Sequence, residues 1–263
     1  MALGLEQIER EIIASGNEDA IECLEYVLHG KNGSNSNLWP HASNRMMDRF
    51  YTTATSDVID DALHDGRAEQ GLDYFVNHQN AKDAGLLKEH VVAVRLYTTA
   101  AFRLINNPLR AAASALGKGE KVPPHPAPTL VAYVADGVKR LRGLLGRDRE
   151  TKDATVELWR GCSGMVLDDG FREHGGTDVS PCSTSDDVQV ALNYSKEDDQ
   201  RVIFKIITHG FMERGAPLQW LSAFPGESEF TYPPLTYLKP TGVEETFDVE
   251  GVHITALEVV ASM

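Results

Sequence analysis

The sequence predicts an α+β protein with helices in its first part and strands in its second. Apolar residues recur at helical spacing through residues 1–150. After residue 150, short runs rich in β-branched and aromatic residues alternate with Gly, Pro and Asp. Helices and strands that are segregated along the chain in this way are typical of α+β folds. We therefore divide the chain into a helical N-terminal lobe, 1–150, and a β-rich part, 151–263.

The helical lobe is predicted from the spacing of apolar residues. Residues 5–28 form two helices separated by a Ser-Gly-Asn break at 15–17. Further helices are predicted over 43–63, 89–105 and 130–145. Since the residue before a proline avoids the α conformation, we expect the helix over 89–105 to end or bend before Pro108.

The β-rich part contains four clear strand signals and one helix. The strands are predicted over 156–159, 201–207, 230–237 and 252–260. Between the first two strands, residues 186–194 have apolar positions at helical spacing.

Composition narrows the class of protein and of partner. A net charge of −14 and a pI near 5.0 argue against nucleic acid as the main partner, because phosphate binding needs a cationic surface. No apolar run approaches the roughly 20 residues that span a bilayer, and the N-terminus lacks a secretory signal pattern. The three cysteines have no metal-ligand spacing. We expect reduced thiols, which favours a cytoplasmic location, with secretion or delivery as an effector as the alternative.

Two glutamates near the C-terminus carry the strongest chemical signal. Glu227 and Glu229 are two residues apart, so in a strand they would share one face with Cα atoms roughly 6.6 Å apart. Two carboxylates in one small volume repel each other. A fold that keeps them together therefore indicates a cation, a ligand or a reaction at this position.

Two polar motifs precede this pair. They are the segment Glu157–Gly161, which contains Arg160, and the tripeptide Ser183–Ser185. The order of Arg, Ser-Thr-Ser and Glu-x-Glu resembles the R-S-E class of mono-ADP-ribosyltransferases, which includes eukaryotic ecto-enzymes and toxin-like bacterial proteins. The segment 224–229 with the Pro-Pro pair that follows is similar to the family segment that ends in the catalytic glutamate.

The resemblance implies a fold and a reaction. The family core has two packed β-sheets behind a helical region, so 151–263 would form the NAD-binding catalytic core, in one integrated catalytic domain from about residue 90. The reaction implied is transfer of ADP-ribose from NAD to an arginine of a protein substrate, with release of nicotinamide. NAD would be a substrate, and no metal is implied.

The resemblance also assigns roles to the two glutamates. Glu229 would be the catalytic residue that bonds the ribose 2′-hydroxyl and stabilises positive charge at the anomeric carbon; a surface strand glutamate is the alternative. Glu227 would select arginine, because a carboxylate can hold a guanidinium by two parallel hydrogen bonds; a solvated loop acid is the alternative.

The upstream motifs would hold NAD. Arg160 would bind the diphosphate, with an ion-paired strand arginine as the alternative, and the main chain at Gly161 would hold the nicotinamide amide. Ser183 would bond the ribose side and position Glu229, while Thr184 and Ser185 would shape the strand edge beside the cofactor. Taken alone, Ser-Thr-Ser before two aspartates is also the pattern of a helix N-cap.

Two aromatic residues lie in the segment 215–229, which resembles the family's target-recognition loop. Large apolar side chains in a loop either pack beneath it or contact a partner. We expect Phe224 to pack and Trp220 to contact a protein substrate or nicotinamide.

Three rival functions remain. An NAD glycohydrolase would use water as acceptor, although hydrolysis does not require Glu227. A glycoside hydrolase would take its two acids from separate elements on either side of a sugar, which fits poorly with two acids on one segment. An inactive NAD-binding module would keep the fold without the reaction.

Overall fold

The computed structural model describes residues 4–30, 70–147, 152–162, 167–195, 200–249 and 252–263. The helix predicted over 43–63 lies outside the described residues. The chain divides into two compact units. The first comprises Met1–Leu144 with Gln219–Gly226, and the second comprises Leu145–Leu218 with Glu227–Met263. The short segment Gln219–Gly226, which the sequence placed in the β-rich part, thus belongs with the helices.

The helices of the first unit follow the apolar spacing of the sequence. The predicted pair over 5–28 is confirmed as α1 and α2, and Asn17 caps the second helix by accepting a hydrogen bond from the amide of Ala20. Their bounds and those of the following helices are α1 Gly4–Ser15, α2 Glu18–His29, α3 Leu72–Val76, α4 Gln79–Asp83, α5 Lys88–Tyr97, α6 Phe102–Gly117 and α7 Pro128–Leu145.

The prediction for residues 89–105 is wrong in where the helix breaks. Helix α5 ends at Tyr97, and α6 runs through Pro108 without ending there. The hydroxyls of Thr98 and Thr99 donate to the carbonyls three residues earlier, at 2.8 Å and 2.6 Å. Because such side-chain bonds compete with helical bonds, they favour the turn between α5 and α6.

The second unit contains a mixed sheet whose eight described strands are joined in the order β2-β7-β8-β4-β1-β3-β6-β5. The strands are β1 Val156–Cys162, β2 Gly176–Asp178, β3 Cys182–Ser185, β4 Gln200–Thr208, β5 Ala216–Pro217, β6 Glu229–Tyr232, β7 Thr236–Val249 and β8 Val252–Ser262. Two short helices, α8 Asp169–His174 and α9 Val188–Tyr194, lie between strands in the chain. This segregation of helices and strands confirms the predicted α+β class.

The order of the described strands has two parts, β2-β7-β8-β4-β1 and β3-β6-β5, which are joined only between β1 and β3. Strands β1 and β3 share a single register pair, Trp159 with Ser185, whereas β1 pairs with β4 along its whole length. All eight described strands therefore belong to one hydrogen-bonded order, and β3, β6 and β5 form its smaller part.

The strand predicted over 230–237 is wrong in its extent. Strand β6 ends at Tyr232 and β7 begins at Thr236, with Pro233, Pro234 and Leu235 between them. The prolines have no amide hydrogen to donate to a ladder, and Leu235 has φ 69°, so the chain turns here.

The sheet has two faces with separate apolar clusters. We call the face that carries Gly161 and its register partner Ile203 the α9 face, because Gly161 lies against that helix. Its cluster contains Leu192, Ile203, Ile254 and Ala256. The opposite face carries the larger cluster, which includes Leu158, Cys162, Cys182, Phe204, Tyr232 and Leu257.

Candidate active site

The catalytic candidate Glu229 begins strand β6 and is only 7% exposed. Its Oε1 accepts hydrogen bonds from the Ser183 hydroxyl at 2.6 Å and from the Thr231 hydroxyl at 2.9 Å. Ser183 pairs with Thr231 in the β3–β6 register, so the two donors are side by side on one face. The prediction that Ser183 positions Glu229 thus has a direct geometric counterpart.

Burial raises the pKa of the Glu229 carboxyl above its ordinary value, because a charge loses hydration there. The hydrogen bonds from Ser183 and Thr231 oppose this rise, since they stabilise the ionised form. A partly dehydrated carboxylate with two donors interacts more strongly with a nearby positive charge than a solvated one does. The site is therefore suited to stabilising a cation.

The Ser-Thr-Ser tripeptide forms the last three residues of strand β3 and presents them alternately to the two faces of the sheet. Ser183 and Ser185 lie on the face of Glu229, since they pair with Thr231 and Glu229. The Thr184 side chain lies on the other face and its hydroxyl donates to the carbonyl oxygen of Phe230 at 2.7 Å. Thr184 is thus bonded within the sheet and is not brought to the Glu229 carboxylate.

Ser185 connects this strand to the segment before Glu229. Its hydroxyl donates to the carbonyl oxygen of Glu227 at 2.7 Å and accepts from the amide of Asp187 at 3.0 Å. The N-cap of α9 is Asp187, whose carboxylate accepts from the amide of Gln189 at 2.8 Å. Ser-Thr-Ser therefore lies in a strand, and the helix N-cap, which the tripeptide taken alone also suggested, is two residues further along at Asp187.

The prediction that Glu227 and Glu229 share one strand face is wrong. Glu227 lies in a short 3₁₀ turn, Pro225–Glu227, and Ser228 has φ 47° before the strand begins. A left-handed residue between them breaks the period of two, so the side chains are directed separately. Glu229 is buried against two hydroxyls, while half-buried Glu227 accepts a hydrogen bond from the Tyr194 hydroxyl at 3.0 Å.

Gly161 allows helix α9 to approach strand β1. A Cβ atom built at Gly161 would lie 2.1 Å from the Ala191 carbonyl oxygen and 2.9 Å from the Tyr194 Cβ. No side chain fits this space, so glycine is required by the helix. The predicted close approach of the backbone at Gly161 is thus explained within the fold by α9, and its contact with nicotinamide remains a prediction.

Arg160 forms an ion pair with Asp178, and its contact with the NAD diphosphate remains a prediction. Arg160 pairs in register with Phe204 and so lies on the face opposite to Glu229. Its Nη2 donates to the Asp178 carboxylate at 2.5 Å, and both side chains are largely buried. The ion-paired strand arginine, which the sequence left open as the alternative, describes this geometry.

Trp220 and Phe224 belong to the first unit. The Trp220 ring stacks on the His78 ring with centroids 4.5 Å apart and planes 17° apart, and both residues are half-buried. Phe224 is 3% exposed. The packed position expected for Phe224 is present, and the contact of Trp220 with a protein substrate or nicotinamide remains a prediction.

Three residues contact the assigned site residues in ways that the sequence analysis did not predict. Thr231 follows Glu229 by two positions, so the period of a strand could have found it. Tyr194 is 33 positions from Glu227, and no pattern in the sequence links the two. Asp178 is 18 positions from Arg160, and nothing in the sequence marks that ion pair.

Other kinds of site have less support within the described residues. No group of three or more His, Cys, Asp or Glu side chains there could hold a metal ion. No helix in the described part of the chain is both long and apolar enough to cross a membrane. The three cysteines are buried, and burial raises the pKa of the Cys23 thiol to about 11 and that of the Cys182 thiol to about 12. Such thiols are poor nucleophiles.

Comparison with known proteins agrees with the motifs. A family model described as NAD:arginine ADP-ribosyltransferase matches residues 38–259. None of the curated proteins matches the chain. Among solved structures, the ADP-ribosyltransferase HopU1 of Pseudomonas syringae pv. Tomato DC3000 is similar in fold, with a TM-score of 0.50 at 16% identity, over 72% of this chain and 85% of that chain.

Two further solved structures are similar at lower scores. The eukaryotic mono-ADP-ribosyltransferase ART2.2 aligns with a TM-score of 0.48 at 14% identity, over 92% of this chain and 94% of that chain. C3stau2 from S. aureus, solved with NAD, aligns with a TM-score of 0.43 at 16% identity, over 72% of this chain and 93% of that chain.

Proposed function

Because the chain belongs to the NAD:arginine ADP-ribosyltransferase family, we propose that it transfers ADP-ribose from NAD to an arginine of a protein substrate. The observation that carries the proposal is the buried Glu229 carboxylate bonded by Ser183, with a second carboxylate, Glu227, directed separately. One acid is thus available for the sugar and the other for the acceptor.

The reaction exchanges one C–N bond for another. The bond between nicotinamide N1 and ribose C1′ breaks, and its electron pair leaves with nicotinamide, which becomes neutral. A guanidinium nitrogen of the acceptor forms a new bond to C1′ and releases one proton, which the Glu227 carboxylate or water accepts. Since the leaving group is already cationic, the reaction needs no general acid.

Glu229 is proposed to bond the ribose and to stabilise the oxocarbenium-like charge at C1′. Its burial supports this role, because electrostatic stabilisation is stronger where water is excluded. The hydrogen bonds from the hydroxyls of Ser183 and Thr231 favour the ionised form of the carboxylate, against the effect of burial, and fix its orientation.

Glu227 is proposed to receive the guanidinium of the acceptor. It is half-buried rather than enclosed, and the first position of Glu-x-Glu goes with arginine modification in the R-S-E class. A carboxylate whose main chain is held by Ser185 and whose side chain is held by Tyr194 is well fixed for two-pronged binding of a guanidinium.

The remaining motif residues are proposed to hold NAD. Ser183 contacts the ribose side, the main chain at Gly161 holds the nicotinamide amide, and Thr184 and Ser185 maintain the strand beside them. Arg160 is proposed to contact the diphosphate while Asp178 fixes its guanidinium. Lysine at position 160 keeps a charge but loses the planar fork, so Arg160→Lys should weaken NAD binding.

The protein substrate is proposed to present an accessible arginine to the segment that carries Trp220 and Phe224. A net charge of −14 favours a basic surface around that arginine, because complementary charge speeds association. Phe224 supports the segment from within, and Trp220 offers the more accessible aromatic surface.

The first experiment is mass spectrometry of an arginine-rich acceptor after incubation with the protein and NAD. We expect ADP-ribose to be attached to arginine, with one nicotinamide released for each ADP-ribose attached. Nicotinamide released without an adduct would indicate an NAD glycohydrolase instead. Unchanged NAD, together with NAD failing to raise the melting temperature, would contradict both enzyme assignments.

Two substitutions separate the roles of the acids. Glu229→Gln removes the charge that stabilises C1′, so both arginine transfer and NAD hydrolysis should be lost. Glu227→Gln removes the carboxylate that is proposed to bind the acceptor guanidinium, so arginine transfer should be lost while NAD is still hydrolysed. Wild-type activity in Glu229→Gln would refute the site assignment.

A further inference from the structure

The hydroxyl of Tyr194 lies against the acid assigned to the acceptor. It donates to Glu227 Oε1 at 3.0 Å, from the last residue of helix α9. The motifs that led to the site do not include Tyr194, and its bond to Glu227 is not predicted by any spacing in the sequence.

Helix α9 is fixed at both ends, so Tyr194 occupies a defined position. Its N-terminus is capped by Asp187, whose amide donates to Ser185 Oγ. Near its C-terminus, Ala191 and Tyr194 pack against Gly161 of strand β1. A donor held by a rigid helix can fix the rotamer of a flexible acceptor side chain.

Glu227 needs such a constraint more than Glu229 does. Its main chain is held by the Ser185 hydroxyl, but the turn at Ser228, with φ 47°, leaves Glu227 outside strand β6. A glutamate outside a ladder has three side-chain torsions to restrict before it can present both oxygens to a guanidinium. Tyr194 restricts them through Oε1.

We propose that Tyr194 is a positioning residue that orients the Glu227 carboxylate toward the guanidinium acceptor and thereby sets the ratio of arginine transfer to NAD hydrolysis. The inference rests on the proposed function, since it assigns Tyr194 to the acceptor side of the same site. Tyr194 acts through Glu227 and takes no part in breaking the bond to nicotinamide.

The test replaces Tyr194 by phenylalanine in the full chain, which removes only the hydroxyl oxygen. Nicotinamide release and ADP-ribosylation of arginine amide are measured together, so that each variant gives a ratio of transfer to hydrolysis. We expect the ratio to fall about tenfold in Tyr194→Phe, because the lost bond is one to a carboxylate. The KM for arginine amide should rise, whereas the KM for NAD in the hydrolysis reaction should stay the same.

Tyr237→Phe is the matched control. Tyr237 also donates its hydroxyl to an oxygen of the same unit, the carbonyl of His174. It lies on strand β7, which is not hydrogen-bonded to the strands of Gly161, Ser183 and Glu229. Its ratio should equal that of the wild type. Thermal unfolding of both variants shows whether either substitution has disturbed the fold.

The outcomes separate the inference from the proposed function. A wild-type ratio in Tyr194→Phe overturns the inference and leaves the transferase assignment intact. Equal loss of transfer and hydrolysis also overturns it, since Tyr194 would then support the whole site. If the wild-type protein releases nicotinamide but never modifies arginine, the proposed function fails and the inference fails with it.

Discussion

The hydroxyl of Ser183 donates to the carboxylate of Glu229 at 2.6 Å, across two paired strands and 46 positions of sequence. This single bond ties the second motif of the family signature to the third. It also opposes the rise that burial causes in the pKa of Glu229. The function of the serine can therefore be tested through the ionisation of the glutamate.

We expect Ser183→Ala to lower nicotinamide release about tenfold to a hundredfold, since a hydrogen bond to a charged group contributes about 1.5–3 kcal/mol. Without this donor the pKa of Glu229 should rise further, because the group that favours its ionised form is gone. In a plot of the rate of nicotinamide release against pH, the fall in rate on the acid side, which we call the acid limb, should then occur at higher pH. Steady-state rates measured from pH 5 to 8 check both effects.

Ser183→Thr is the conservative variant for this measurement. It keeps a hydroxyl in the strand, so it should recover part of the activity and return the acid limb toward that of the wild type. An acid limb that is identical in Ser183→Ala and the wild type would contradict the assigned role of the serine.

Gly161→Ala tests the approach of α9 to β1. The new Cβ would lie 2.1 Å from the Ala191 carbonyl oxygen, so the helix or the strand must shift. Overpacking of this kind typically costs about 1–3 kcal/mol of the free energy of unfolding. We also expect transfer activity to fall, since α9 carries Tyr194, the partner of Glu227. Denaturant unfolding and the transfer assay measure the two effects.

Gly143→Ala provides the control for that substitution. Gly143 lies inside helix α7, and apart from the adjacent residues and the backbone of that helix a Cβ there would meet no described atom within 4 Å. Alanine should leave stability unchanged or raise it by up to about 1 kcal/mol through helix propensity. Equal effects of the two alanines would mean that Gly161 is not required by packing.

The parts of the site that could be read from the sequence are those that lie within one strand or one motif. Ser183 and Glu229 were identified from the family pattern, and their strands give the register that joins them. The prediction that Glu227 and Glu229 lie on one face of a strand was wrong, because the period of two does not reveal a left-handed residue such as Ser228 between them. Local patterns cannot report a backbone conformation that the surrounding structure imposes.

The contacts that were missed join residues far apart in the chain. Arg160 meets Asp178 and Tyr194 meets Glu227 only through the order of strands and the position of α9. Strands β2, β3 and β5 were also missed, since they have two to four residues and are too short for a periodic signal. Strands β4 and β8 were predicted because they are apolar over many residues, whereas β7, which is longer than either, was predicted only at its first two residues.

Arg95 is expected to hold the segment Gln219–Gly226 to the helices. Its guanidinium, 1% exposed, donates to the carbonyl oxygens of Leu221 and Ser222 at 2.7 Å and 3.3 Å and to the Tyr26 hydroxyl at 2.8 Å. Arg95→Met removes these donors and leaves buried carbonyls without them, so we expect a loss of at least about 3 kcal/mol of stability. Amide exchange in 219–226 should accelerate more than in α1 or α2.

Arg103→Met is the control on the same unit. Arg103 is partly exposed, and its guanidinium lies 4.0 Å from the carboxylate of Asp19, which is also partly exposed. A surface substitution of this kind should change stability by no more than about 0.5 kcal/mol. If amide exchange in 219–226 is the same in both variants, Arg95 does not anchor that segment.

His90 gives the protein a predicted loss of stability in mildly acidic solution. Its ring is 2% exposed, its Nδ1 accepts from the amide of Leu87 at 3.0 Å, and its Nε2 donates to Asp136 at 2.8 Å. Burial lowers the pKa of His90 despite the opposing effect of Asp136. The neutral ring is therefore the form that fits, since protonation of Nδ1 would remove the acceptor for Leu87.

The sign of the effect follows from linkage. The unfolded chain binds the proton near pH 6.5, while the folded chain resists it to lower pH, so stability falls as the pH drops below about 6.5. The pKa of Asp136 is lowered mainly by its bond from Arg140, so its contribution is lost only below the ordinary value of 3.8. Of these two groups, only His90 therefore affects the free energy of unfolding between pH 8 and pH 5. Urea unfolding at pH 8, 6.5 and 5 measures this effect. His90→Gln, which cannot be protonated, should show a smaller decrease over this window, and an equal decrease would assign the acid sensitivity to other groups.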